Sequence, residues 1–312
     1  MKRIRIAADV GASLMDRLAA DSRFDVRFRN VHGADELIEL VRDAKVLVTR
    51  HHNRVTAEVI AAAPELELIA QGTSGLDNID ADFARERGIA IIGVPGENAN
   101  AVAELVMSFM ISLTRTVPAY NEMVRAEVWQ RDDCMTRREL RAHTLGIVGI
   151  GRVGSRVAHL AGAFGVPCVA YDPYLEPDEV RRRGAEPCST LEELLSRCDI
   201  LTLHVPLNGE TRGMIGGAQL DQLKRGAFVI NCCRGPVLDQ DALFERLVDD
   251  QLAGAALDVY REEPPAAANW PDRSKIILTP HVSGCSRESK DSTGRLVYEA
   301  ICRHYSLEPA QL

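Results

Sequence analysis

The sequence predicts a doubly wound α/β fold, parallel sheets with helices on both faces, in about two domains. Three observations predict it. Short β-branched runs alternate with amphipathic stretches along most of the chain, the pattern of βαβ units whose sheet is buried on both sides. One run, Leu145 to Val148, leads straight into Gly149-Ile150-Gly151-Arg152-Val153-Gly154, a GxGxxG spacing set between a strand and a helix. A length of 312 residues is more than a single hydrophobic core usually serves.

Taken in order, strands are read at Ile4 to Ala8, Lys45 to Thr49, Leu66 to Ala70 and Ile89 to Ile92, with helices near Asp35 to Arg42, Ala57 to Ala63 and Ile79 to Glu86. Ligands of open parallel sheets bind beyond the carboxyl ends of the strands, which singles out Arg50-His51-His52-Asn53 and Gln71-Gly72-Thr73-Ser74-Gly75. The second offers backbone amides that can receive a carboxylate, the first a guanidinium and two imidazoles. Neighbours on an extended segment point opposite ways. A metal shared by His51 and His52 is therefore the lesser reading beside surface or pocket histidines, and no metal is expected.

Ala103, Val106, Met107, Met110 and Leu113 recur at helical period, so Ala99 to about Arg125 reads as one helix that Pro118 bends or divides. Val128 to His143 is polar and charged around Trp129, a surface loop or an arm that packs on another subunit. Beyond the glycine turn come a strand at Pro167 to Tyr171, a helix near Leu191 to Ser196, a strand at Asp199 to Val205 and a helix at Ala218 to Leu223. A strand at Ala227 to Asn231, a helix at Asp239 to Val248, strands at Gly254 to Val259 and Ile276 to Leu278, and a helix from Arg287 to about Tyr305 complete the chain.

Composition narrows the function. A net charge of -8, with Arg181 to Arg183 as the densest basic run and best read as a solvated helix face, argues against nucleic acid as a partner. No apolar run approaches the length of a membrane span. Asp9 interrupts any apolar segment after the basic start, so a cytoplasmic chain is expected. The eight cysteines form no CxxC pair, which suggests neither zinc nor a disulfide framework.

The glycine turn carries the first chemistry. Gly149 allows a tight turn, Gly151 lets the backbone approach a pyrophosphate, and Gly154 lets helix and strand pack closely. The amides around Arg152 and Val153 would face the phosphates. Asp172 ends the next strand, where a carboxylate can accept both ribose hydroxyls and would repel a 2'-phosphate; no arginine follows at Pro173 or Tyr174, so NAD is expected as cofactor.

Three later strands end in reactive residues: Arg234 in Asn231-Cys232-Cys233-Arg234-Gly235, Glu263 after Asp258, and His281 after Thr279-Pro280. Reduction of a 2-oxo acid needs a cation for the carboxylate and a proton donor at the carbonyl oxygen. Arg234 suits the first task and His281 the second, with Glu263 holding the other imidazole nitrogen and favouring the protonated ring. The plainer alternatives are a surface arginine, a loop glutamate and a histidine capping the last helix.

At these residues the chain resembles the D-isomer-specific 2-hydroxyacid dehydrogenases, a family that includes phosphoglycerate, glycerate (hydroxypyruvate), formate and D-lactate dehydrogenases. The motifs are Gly75-Leu76-Asp77-Asn78-Ile79-Asp80, Asn98 with Val102-Ala103-Glu104, the glycine fingerprint, His204-Val205-Pro206-Leu207, Asn231-x-x-Arg-Gly, Leu257-Asp258-Val259, Glu262-Glu263-Pro264-Pro265 and Pro280-His281. The resemblance implies a Rossmann nucleotide-binding domain, 98–284, inserted into a flavodoxin-like substrate domain made of 1–97 and 285–312. It implies Arg234, Glu263 and His281 as the catalytic trio. Further cofactor contacts are implied at His204, Pro206, Thr211, Cys232, Asp258, His281 and Gly284, and substrate contacts at Arg50, Ser74, Gly75, Arg234 and His281. It also implies a homodimer through the nucleotide domains. Glu127 replaces a frequent glycine, Cys232-Cys233 a commoner Thr-Ala or Val-Ala, and His51-His52-Asn53 lacks the usual Ser-x-Thr character; the last bears on substrate identity. The alternative on the same fold is an NAD(H)-sensing, corepressor-like binding protein.

Overall fold

A computed structural model describes residues 1–73, 75–94, 96–131, 137–266 and 270–310. The chain divides into two compact units, Met1–Asn98 with Cys285–Leu312, and Ala99–Gly284.

The first unit runs β1 (Lys2–Ile6), α1 (Ala12–Ala20), β2 (Phe24–Phe28), α2 (Ala34–Val41), β3 (Val46–Thr49), α3 (Ala57–Ala61), β4 (Leu68–Gln71), α4 (Ala81–Glu86) and β5 (Ala90–Gly93). Its strands pair in parallel in the order β2-β1-β3-β4-β5, the flavodoxin-like order. Leu47 and Ile69 enter one core, with Leu37 and Val59; their neighbours Val46, Val48, Leu68 and Ala70 enter another, with Leu14, Leu18 and Val297. Burial on both faces is why these strands read as unbroken apolar runs.

Local chemistry sets the boundaries. Asp80 caps α4 by accepting the Phe83 amide at 3.1 Å, so the helix starts at Ala81 and not at Ile79, which instead bridges to Val55. Helix α1 and strand β2 have weak sequence signals and are not among the expected elements. The first starts at Gly11 without a side-chain cap and buries only Leu14 and Leu18; the second is an edge strand that exposes Arg27 and Phe28.

The second unit contains α5 (Ala99–Arg115), α6 (Val117–Arg125), β6 (Leu145–Val148), α7 (Arg152–Ala163), β7 (Cys168–Tyr171), α8 (Pro177–Arg182), β8 (Glu186–Pro187), α9 (Leu191–Arg197), β9 (Ile200–Leu203), α10 (Gly217–Leu220), β10 (Ala227–Asn231), α11 (Gln240–Val248), β11 (Leu252–Leu257) and β12 (Ile276–Leu278). All seven strands are parallel, in the order β12-β11-β10-β9-β6-β7-β8. Counted from the glycine strand this is the Rossmann order with one strand added outside, and its direction reverses between β6 and β9. Adjacent residues again part to opposite cores, Ile147 from Val148 and Val229 from Ile230.

The expected long helix is divided at Thr116, whose φ of 53° is left-handed; Pro118 sits in the first turn of α6, and the two helices meet at 62°. No single helix among the described residues is long and apolar enough to cross a membrane. Helix α5 is a core helix that buries Val102, Val106, Met110 and Leu113.

The chain returns to the first unit as α12 (Arg287–His304). A buried carboxylate fixes it there. Asp21 accepts the Tyr298 hydroxyl at 2.9 Å and two Arg23 nitrogens at 2.7 and 2.6 Å, while the same hydroxyl accepts the Ala310 amide at 2.9 Å. The Arg23 bond, ahead of an opposing burial penalty, brings the Asp21 carboxyl down to about 2. Because the folded value lies below the unfolded one, this contribution is complete above about pH 4 and fades as pH falls through about 2. Asp21→Asn is expected to cost about 2 kcal/mol near neutral pH, and the gap to wild type to shrink to roughly half by pH 3. Urea unfolding midpoints between pH 7 and pH 3 check it; a gap independent of pH would exclude the ionic account.

Candidate active site

Two sheet-edge clusters in the second unit carry the expected groups, the first being the glycine turn after β6. Gly149 has φ +84°, and a Cβ there would lie 2.8 Å from the His204 carbonyl oxygen; a Cβ on Gly154 would lie 2.2 Å from the Gly149 carbonyl oxygen. Only glycine permits this contact of turn, helix and neighbouring strand. A Cβ on Gly151 would meet nothing within 4 Å, so the turn is tight on two sides and open on the third. Arg152 and Val153 begin α7, whose N-cap Gly151 supplies no side-chain cap; an anion can take that role.

Asp172, just past β7, accepts the Ile150 amide at 3.1 Å on one oxygen and the Tyr174 amide at 3.2 Å on the other. Each oxygen retains a second acceptor position for a ribose hydroxyl. Across the switch point, Thr211 donates to the Pro206 carbonyl at 2.5 Å and accepts the Asn208 amide at 2.9 Å, closing that turn. His204 lies 2.9 Å from the Thr202 hydroxyl through Nε2, and burial pushes its imidazole down to about 3. It is a neutral ring. The open cradle and the acid beside it fit a dinucleotide.

The second cluster lies beyond β10, β11 and β12. Asn231, buried at the end of β10, donates to the Arg234 carbonyl at 3.1 Å and accepts the Cys233 amide at 3.0 Å. This local turn explains the Asn-x-x-Arg spacing. A Cβ on Gly235 would lie 1.8 Å from the Tyr260 carbonyl oxygen, so the turn carrying Arg234 is pressed on the segment leading to Glu263. The Arg234 guanidinium donates to the Cys233 carbonyl at 2.7 Å. Cys232 and Cys233 are buried; burial lifts the first thiol well above the usual range and the second to about 11. Neither supplies a thiolate nucleophile near neutral pH.

Glu263 and His281 are joined directly: Oε2 lies 2.6 Å from Nδ1, and Oε1 accepts the Tyr260 amide at 3.1 Å. His281 has a left-handed φ of 54°, costly for a residue with a Cβ. Asp258 holds the loop in that shape. Fully buried after β11, its carboxylate accepts the Thr279 hydroxyl at 2.6 Å and the Val282 and Ser283 amides at 2.8 Å each, while its carbonyl accepts the His281 amide at 2.8 Å. Three of about four acceptor positions of that carboxylate thus serve the histidine loop, and Gly284 follows it. Tyr260 adds a bond to the Thr279 carbonyl at 2.8 Å.

In the first unit, Arg50 follows β3 and Gly75 follows β4, adjacent strands. Asn78 donates to the carbonyls of Arg50 and Asn53, at 3.1 and 2.7 Å, and Gln71 donates to the Gly75 carbonyl at 3.0 Å. The two loops are therefore stitched together. Arg50 donates to the Asp9 carbonyl at 3.1 Å and approaches the Cys285 sulfur at 3.9 Å. The rings of His51 and His52 stand at 88° to each other. Ser74 lies outside the described residues.

Sequence reasoning missed the supports: Thr279 and Tyr260 under the histidine loop, Asn78 between the substrate loops, and Asn208 in the Thr211 turn. Thr279 stands two residues before His281 and Asn78 within the Gly75–Asp80 motif, but neither position shows which groups its side chain holds.

Residues 107–283, more than half of the chain, match the family model described as D-isomer specific 2-hydroxyacid dehydrogenase, NAD binding domain. The D-3-phosphoglycerate dehydrogenase of Methanocaldococcus jannaschii is 38% identical over 86% of this chain and 51% of its own length; the chain spans about half the length of the curated relatives it matches. A crystallised protein of Thermus thermophilus superposes with a TM-score of 0.88 at 30% identity over 99% of both chains. The D-lactate dehydrogenase of Aquifex aeolicus, solved with NAD and lactic acid, gives 0.86 at 25% identity over 98% of this chain and 97% of that one. With the glycine cradle, its partner acid and the histidine–glutamate pair in place, the chain belongs to the D-isomer specific 2-hydroxyacid dehydrogenase family.

Proposed function

We propose that this chain is an NAD-dependent D-2-hydroxyacid dehydrogenase, or 2-oxo-acid reductase, with the second unit as nucleotide domain and the first as substrate domain. The observation that carries the reading is the 2.6 Å bond between Glu263 and His281 Nδ1 on a sheet edge that also bears Arg234. In this reading Glu263 engages Nδ1 of His281 and Nε2 exchanges the proton. Bound NADH supplies the hydride. Arg234 pairs its planar fork with the substrate carboxylate or carbonyl oxygen. His281 gives a proton to the carbonyl oxygen in reduction and takes it back in oxidation, and Glu263 keeps the ring oriented for both directions. Arg50 and Gly75 are the substrate contacts of the first unit, with a small 2-hydroxy acid, polyhydroxylated and phosphorylated ones included, as the class. Two of the three relatives above are named as dehydrogenases, which supports this reading over the corepressor-like alternative.

The homodimer is part of the proposal. Helix α6 buries no residue, and Val117, Val124 and Trp129 are 50%, 57% and 79% exposed, an apolar surface suited to a second copy. Sedimentation should give twice the chain mass, and Val124→Asp with Trp129→Ser should give the monomer; a wild-type monomer removes the dimer from the reading.

For catalysis, His281→Ala is expected to lower kcat by about 100- to 10,000-fold and Arg234→Ala to lower kcat and raise KM for the acid, both with NADH affinity retained. A panel of 2-oxo acids assayed by NADH oxidation, with fluorescence titration for binding, checks this. Full turnover in both variants would refute the assignment. Asp172→Ser should weaken NADH and narrow its advantage over NADPH by about tenfold or more in kcat/KM; an unchanged ratio would remove Asp172 from cofactor selection.

A further inference from the structure

We propose that Arg183 is a positioning residue for the dinucleotide pyrophosphate, acting through the Ile150–Gly151 peptide of the glycine turn. The inference rests on the NAD-binding reading and names a group that reading does not include. Three arginines follow one another at the end of α8, and the sequence treats them alike. The fold does not. Arg181 pairs with Asp178 at 2.8 Å and Arg182 with Glu179 at 2.6 Å, both at the surface. Arg183 turns inward: its Nη1 donates to the Ile150 carbonyl at 2.8 Å, and its Nε donates to Glu179 at 2.7 Å.

Ile150 is thereby held on both sides, its amide by Asp172 at 3.1 Å and its carbonyl by Arg183. In a trans peptide the carbonyl and the next amide point in opposite directions. Fixing the Ile150 carbonyl on Arg183 therefore aims the Gly151 N-H away from Arg183. That aim matters because Gly151 has no side chain to restrict it and a Cβ there would enter open space. Without the guanidinium the turn would sample several orientations, and phosphate binding would bear the cost of selecting one. The Glu179–Arg183 bond in turn spares the arginine from rotamer freedom. Arg183 makes no contact with the cofactor under this proposal; it presets the backbone that does.

The test compares wild type and Arg183→Met by fluorescence titration with NADH and by displacement with ADP-ribose, which carries the pyrophosphate, and adenosine, which lacks it. The expected result is about tenfold weaker NADH and ADP-ribose, adenosine unchanged, and KM for NADH raised without loss of kcat at saturation. Unchanged ADP-ribose affinity overturns the proposal, and so does an equal loss for all three ligands, which would mark a merely structural role. Should Arg183→Met not fold, Glu179→Gln is expected to give the same pattern at smaller size, and a flat response there overturns it too. Wild-type protein that fails to bind NADH overturns the NAD reading and this inference together, whereas normal wild-type binding with an indifferent Arg183→Met overturns the inference alone.

Discussion

The buried carboxylate of Asp258 is the constraint on which the reactive edge depends. A fully buried charge is costly unless it is met by donors, and here the donors are the Thr279 hydroxyl and the Val282 and Ser283 amides. The loop must curl around the acid to bring them in. That curl places His281 at a positive φ and turns its ring toward Glu263. The strain at His281 is offset at Asp258, near in space and 23 residues away in sequence. The histidine is thus aimed by a group that never touches it through its own carboxylate.

The same logic shows which parts were legible in the sequence. Strands buried on both faces announce themselves because every residue is apolar, so β3, β4, β6 and β9 needed no context. The fingerprint was legible because steric demand at Gly149 and Gly154 leaves only glycine. Arg234, Glu263 and His281 were nameable because each closes a strand. What stayed hidden depends on burial that no residue type reveals. Asp258 reads as a cofactor contact after a strand, and its hold on the histidine loop emerges only when Thr279 and Ser283 fold over it. Arg183 reads as one member of a basic run, because the direction an arginine takes is decided by a carbonyl 33 residues earlier. The break at Thr116 was displaced from Pro118 because proline is tolerated in a first helical turn, so the residue before the helix, Thr116, absorbed the bend.

Electrostatics divide the labour between backbone and side chain. Around the glycine turn the chain offers amides and a helix start, groups whose charge does not titrate, and the Asp172 carboxylate orients Ile150 and Tyr174. Beside the same turn His204 is held neutral by burial, and at the other cluster burial holds the thiols of Cys232 and Cys233 protonated.

The loops of the first unit rest on a different kind of support. In the first unit, Asn53 accepts the Arg50 amide, Gln71 donates to the Gly75 carbonyl and Asn78 donates to the carbonyls of Arg50 and Asn53, so side-chain amides hold the main chain of the two loops after β3 and β4. Such a net fixes where the loops run, so that their path does not hang on the identity of the side chains at Arg50, His51 and His52. A loop held in this way can change those side chains at little cost to the fold. Under the proposed function, replacing one would change substrate preference by the energy of a single contact, about 1 to 3 kcal/mol, while His281 and the glycine turn stand on separate supports. Under that reading the arrangement favours one reaction with many acids, because the side chains at Arg50, His51 and His52 can change without disturbing the frame by which the family is recognised.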